Sequence, residues 1–185
     1  YYYDFNSFDK ATSFKETSDG GFIATGYRPS QFSSLYENYL FKVNFEGEVE
    51  WSRSYSEGDL GLEDYYSLNN VNDVIQTLDG GYAMIGYAYE WSINSYGSNS
   101  NDKQIWLNKV DANGNIEWSF LYGDYCESYC STEDGMTLVQ ESSTGDYILG
   151  GKTLGVGGGW YHGFITKVDI NGNQIWKKNI NGLDQ

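Results

Sequence analysis

The sequence predicts an all-β chain of four-stranded antiparallel units, and three observations lead there. One string recurs three times, as "KVNFEGEVEW" at Lys42 to Trp51, "KVDANGNIEW" at Lys109 to Trp118 and "KVDINGNQIW" at Lys167 to Trp176. Aromatic residues make up 18% of the 185-residue chain, and Gly occurs 23 times against a single Pro, Pro29. That mixture suits half-buried strands joined by tight turns. Runs such as "FIATG" and "YAMIG" are apolar at successive rather than alternate positions, which requires strands covered on both faces.

Each unit extends well upstream of that string. The first strand is expected at Thr12 to Thr17, Asn72 to Thr77 and Met136 to Glu141. A Gly-containing turn, "SDGG" and "LDGG" in the first two units, leads to a second strand at Phe22 to Tyr27, Tyr82 to Tyr87 and Tyr147 to Gly151. The third strand is read at Tyr39 to Val43, Trp106 to Val110 and Phe164 to Val168. It turns at "NFEGE", "DANGN" or "DINGN" into a fourth that ends near Tyr55, Tyr122 and Ile180. Four-stranded meanders covered on both faces are propeller blades. The expected class is therefore all-β and β-propeller-like, an incomplete ring of three blades at about residues 11–55, 71–122 and 135–180 within one domain, 1–185. A stacked solenoid fits less well, because its repeats usually run to about 20–45 residues.

The repeat resembles the "DGGY…KVDxNGNxxW" propeller units of secreted and surface proteins. Its turn-plus-Trp end is similar to the quinoprotein-like propeller repeat, in which a blade-end Trp docks against the neighbouring blade. The resemblance implies a fold rather than one function. The adjacent-cysteine feature of the quinone enzymes is absent, since Cys126 and Cys130 are separated by three residues, and no cofactor is expected. The recurring residues read as scaffold. Gly47, Gly114 and Gly172 supply turn geometry, and Trp51, Trp118 and Trp176 are expected to be buried plates between blades.

A formal charge of -15, from 26 acids against 11 bases, opposes nucleic-acid binding and an anionic membrane surface. No apolar run approaches the roughly 18 residues of a membrane span, and no leader pattern is present. A chain starting at Tyr1 without Met is expected to be a processed or excised piece, and the reading places it outside the cell or on its surface. There "CESYC" closes a local disulfide, Cys126 to Cys130, ahead of two free thiols and, last, a metal or redox role. No Asn-x-Ser/Thr sequon occurs.

Both short turns of each unit fall at one end of the strands and the long connections at the other. These are Arg28 to Asn38, Ala88 to Gln104 and Lys152 to Gly163 within units, and Ser56 to Asn70 and Gly123 to Gly135 between them. They carry Glu57, Asp59, Glu63, Asp64, Asp124, Glu127, Glu133 and Asp134 beside many aromatic rings. The first reading is a solvated acidic rim. The second is glycan or protein contact, with Trp91, Tyr96, Trp160 and Tyr161 as candidates, and the third is calcium. "DANGN" and "DINGN" lack the ligand spacing and distal Glu of a calcium loop, so they read as turns. His162, the single histidine, has no nucleophile signature beside it.

The expected function is thus a non-catalytic extracellular structural or adhesive protein, assembling with copies of itself as ring or fibre or with the rest of a larger surface protein. A glycan- or protein-binding module using the long-loop face is the alternative, and a glycan hydrolase with paired carboxylates the weaker one.

Overall fold

Turns spaced through the chain force short antiparallel strands, and the computed structural model, which describes residues 10–29, 36–56, 59, 66–93, 99–123, 132–154 and 160–180, contains three successive meanders of them. The first comprises β1 (Lys10–Glu16), β2 (Phe22–Pro29), β3 (Tyr36–Val43) and β4 (Val49–Tyr55). The second comprises β5 (Tyr66–Gln76), β6 (Tyr82–Ile93), β7 (Asn99–Val110) and β8 (Ile116–Tyr122). The third comprises β9 (Thr132–Gln140), β10 (Tyr147–Leu154), β11 (Tyr161–Val168) and β12 (Gln174–Ile180). Meander one is a separate four-stranded antiparallel sheet. The other two form one eight-stranded mixed sheet, joined by a parallel bridge of β7 to β9 at Lys103 and Thr132. The sequence reading had three separate sheets, so this bridge is a correction. Among the described residues the sheets do not close into a ring.

Strands run into two of the expected loops. β6 and β7 stay paired as far as Ile93 opposite Asn99, inside the segment read as the connection Ala88 to Gln104. The Lys103 ammonium lies 4.2 Å from the Tyr87 ring centroid and 5.2 Å from that of Tyr89, which favours extending the hairpin. β9 likewise begins at Thr132 rather than Met136, because lysines neutralise Glu133 and Asp134 there.

The core is two layers, each between neighbouring meanders. Ile23, Leu40 and Tyr55 of the first pack with Val74, Tyr82, Met84, Trp106 and Val110 of the second. Ala83, Ile85, Leu107 and Tyr122 of the second pack with Leu138, Tyr147, Leu149, Phe164 and Val168 of the third. Along β6, Tyr82 and Met84 thus face one neighbour while Ala83 and Ile85 face the other. This is the physical meaning of an uninterrupted apolar run.

The same bulge recurs in each first strand. The β1–β2 register skips Thr12, β5–β6 skips Asn72 and β9–β10 skips Met136, which are equivalent positions. Opposite the bulges lie Gly26, Gly86 and Gly151, where an added Cβ would come 2.1, 1.9 and 2.0 Å from a first-strand carbonyl oxygen. Only Gly permits so close a backbone approach. A bulge also re-aims the next side chains, here Ser13, Asp73 and Thr137.

Candidate functional site

The motif residues are organised first by their turns. In the second meander Gly80 and Gly114 have φ of 86° and 80°, a conformation that favours glycine. The Asp79 carboxylate accepts hydrogen bonds from the Thr77 hydroxyl at 2.5 Å and the Gly81 N–H at 3.0 Å. It also pairs with the buried Lys109 ammonium at 2.9 Å, and Lys109 reaches Glu117 at 2.6 Å. A bulge in β8, opposite Lys109 and Val110, places Glu117 for that contact. Burial opposes ionisation of Asp79, but the Thr77, Lys109 and Gly81 hydrogen bonds together outweigh it and bring its pKa to about 2. Lys42 repeats the clamp with Asp19 and Glu50, both at 2.9 Å, and the bonds from Thr17, Lys42 and Gly21 hold Asp19 well below the usual carboxylate range.

The third meander uses other residues for the same task. Ile175 replaces the Glu, and an Asp occupies the place of Gly81. Lys167 now pairs with Glu141 at 2.8 Å and Asp146 at 3.0 Å.

The Asp of "DANGN" is equally occupied by its own turn. Asp111 accepts the Asn113 and Asn115 N–H groups at 2.8 and 2.9 Å and the Asn115 side-chain amide at 2.8 Å. The Asn115 bonds lower its pKa first of all. Asp169 makes the same contacts with Asn171 and Asn173. Among the described residues no three His, Cys, Asp or Glu are gathered to hold a metal ion.

Trp51 and Trp118 are partly buried plates, with ring centroids 5.7 Å from Tyr82 and 5.8 Å from Tyr147 of the next meander. Trp176 departs from the expectation. It is 37% exposed, because no following meander lies against it among the described residues. Beside the plates, the Tyr55 hydroxyl donates to the Gly114 carbonyl at 2.9 Å and Tyr122 donates to Gly172 at 2.8 Å. Each fourth strand is therefore tied to the next meander's Gly turn. Gly47 and Gly172 share the positive φ of Gly114.

On the long-connection face, Trp160 is 87% exposed and the neighbouring Tyr161 is exposed as well. The Lys152 ammonium lies 4.9 Å from the Tyr161 ring centroid. Glu133 and Asp134 were expected on a solvated rim, yet both are buried. Lys177 pairs with Glu133, while Lys103 at 3.0 Å and Lys152 at 3.3 Å pair with Asp134. These ion pairs fix β9 against β7, β10 and β12. Asp59 bonds its neighbour Ser56, whose hydroxyl and N–H lower its pKa. His162 sits partly buried in β11 opposite Thr153. The Trp91 side chain, Tyr96, Cys126 and Cys130 lie outside the described residues, as do Glu57, Glu63, Asp64, Asp124 and Glu127.

Asp73 was missed in the sequence. Buried beneath the bulges, it accepts the Ser13 hydroxyl at 2.7 Å and the Thr137 hydroxyl at 3.1 Å, and pairs with Lys15 at 3.1 Å. Its two hydroxyl partners occupy its own position in the other meanders. An acid standing where the other copies carry Ser and Thr was the available signal. Asn38 and Asn108 were also passed over. Both are fully buried, and their side chains have no hydrogen-bond partner among the described residues, a cost to stability.

A scan against protein-family models matches none of them, and a search of curated proteins finds no match.

Proposed function

We propose that this chain is a non-catalytic extracellular structural or adhesive module whose meanders act as propeller-like blades. It assembles with further copies of itself or with the rest of a larger surface protein. One observation carries the reading: the interface made twice inside the chain leaves its two unused halves exposed on the outer meanders. Phe14, in the first, is 70% exposed where its equivalents Val74 and Leu138 are 0% and 2%. Ile180, in the third, is 53% exposed where Tyr55 and Tyr122 are 2% and 7%. Apolar surface grouped in this way marks an interaction face. Light scattering across a concentration series tests it, and mass above that of one chain is expected.

Trp160 favours a second reading, glycan binding on the long-connection face, because an exposed ring beside Tyr161 offers a stacking platform. A chain that stays monomeric and binds a glycan array, with binding lost in Trp160→Ala, would replace the first reading with this one.

A further inference from the structure

We infer that the fold contains a seam at which it opens: the first meander undocks as a unit from the second, while the second and third stay joined. The seam lies inside the chain and holds whatever covers the outer faces.

The two internal interfaces are built from equivalent positions, so they compare residue by residue. Both have a Trp plate on an aromatic ring, a Tyr hydroxyl on a Gly carbonyl and a Gln that accepts an N–H from the preceding meander's first turn. Asp73 serves both, accepting from Ser13 on one side and Thr137 on the other. These contacts cancel in the comparison.

Polar burial does not cancel. Asn38 lies two residues from Leu40 on β3, and Asn108 lies between Trp106 and Val110 on one face of β7. All three apolar neighbours belong to the core shared by the first and second meanders. Both amides therefore point into that interface, fully buried and with no hydrogen-bond partner among the described residues. At the second interface the equivalent positions are Ile105, part of the apolar core, and Thr166, whose hydroxyl donates to the Trp176 carbonyl at 2.8 Å. An amide buried unpaired costs free energy that opening and hydration recover.

The crossing bonds differ as well. Asn72 donates from the β5 bulge to the Gly135 carbonyl of the third meander at 2.7 Å, whereas Thr12, its equivalent, turns back onto Thr25 of its own sheet at 3.2 Å. Lys103 crosses to Asp134 at 3.0 Å and bridges Thr132, which fuses the second and third meanders into one sheet. Across the first interface the equivalents are the uncharged Tyr36 and Asn70, and Asn70 donates to Tyr87 within its own meander at 2.9 Å. No strand pairing joins the first meander to the second among the described residues. Lys15 adds a pair with Asp73 there, but it is 46% exposed and such pairs contribute little.

Units bounded by a weaker interface open below the free energy of global unfolding. Undocking bares Ile23 and Leu40 on one side and Met84 and Val110 on the other, so the seam governs how much apolar docking surface the chain presents.

Native-state hydrogen exchange in dilute solution, read by mass spectrometry and corrected for intrinsic rates, tests the seam. The first and third meanders each pack on the second, so their equivalent strands are the fair comparison. Amides of Ile23 to Thr25 and Leu40 to Lys42 should be protected at least tenfold less than those of Ile148 to Gly150 and Ile165 to Lys167. The variant Asn38→Ile/Asn108→Thr installs the residues of the second interface. It should raise first-meander protection at least tenfold and leave the third unchanged, with the near-isosteric Asn38→Leu moving it the same way. Protection equal in the two meanders, or lower in the third, would overturn the seam. A weakly protected first meander that neither variant strengthens would overturn the role given to the two amides.

Discussion

Asp79 and Lys109 show how one repeated pair of residues ties a turn to a neighbouring strand. The lysine is buried and both of its acids remain about half exposed, so its charge is neutralised without removing the carboxylates from water. Folding lowers the Asp79 pKa from 3.8 to about 2. Its stabilisation is therefore complete above the unfolded value and is lost as the pH falls towards the folded one. Asp19 acts in the same direction. Urea midpoints measured between pH 5 and pH 2 should fall over the lower part of that window. Asp79→Asn should flatten the slope, by no more than about 1 kcal/mol for so exposed a carboxylate.

At the scale of the element, the fourth strand carries the contact that converts separate meanders into a stack. Trp118 packs on Tyr147, and Tyr122 reaches the Gly172 carbonyl. Trp176 holds the same place in the third meander's fourth strand without such cover. Truncation should separate them. In dilute solution Trp118→Ala should cost about 3 kcal/mol, the usual scale for removing a large packed ring, and Trp176→Ala less than about 1 kcal/mol. Chemical denaturation of the two variants checks the contrast, and equal losses would mean that the repeat position alone sets the cost. The bulges belong to this scale too, since Gly86 is demanded by the backbone of Asn70 rather than by any ligand.

Across the whole molecule, Asp73 joins all three meanders. Removing it leaves Ser13, Thr137 and Lys15 without their shared acceptor, and Asp73→Ala is expected to destabilise the chain by about 2–4 kcal/mol. Asp73→Asn, which keeps an acceptor oxygen for one hydroxyl, should cost less. Denaturation curves that broaden as well as shift in the Ala variant would show the meanders unfolding separately. The exposure of Phe14 and Ile180 belongs to this scale as well, because burial of an apolar residue depends on what stacks upon it.

Strand identity, turn chemistry and the repeat were legible in the residues. "DGG" and "NGN" specify backbone conformations locally, and a successive apolar run such as "YAMIG" states that both faces are covered. The acids of "STEDG" misled, because nothing local shows that Lys103, Lys152 and Lys177, distant in sequence, arrive to neutralise Glu133 and Asp134. Asp73 was hidden for the same reason. The sequence by itself determined the meanders, since hydrogen-bonded turns and alternating faces depend on neighbours a few residues apart. Only the tertiary structure decided which carboxylates are buried, which tryptophans are covered and that the first strands converge, because each depends on groups brought together from separate strands far apart in the chain.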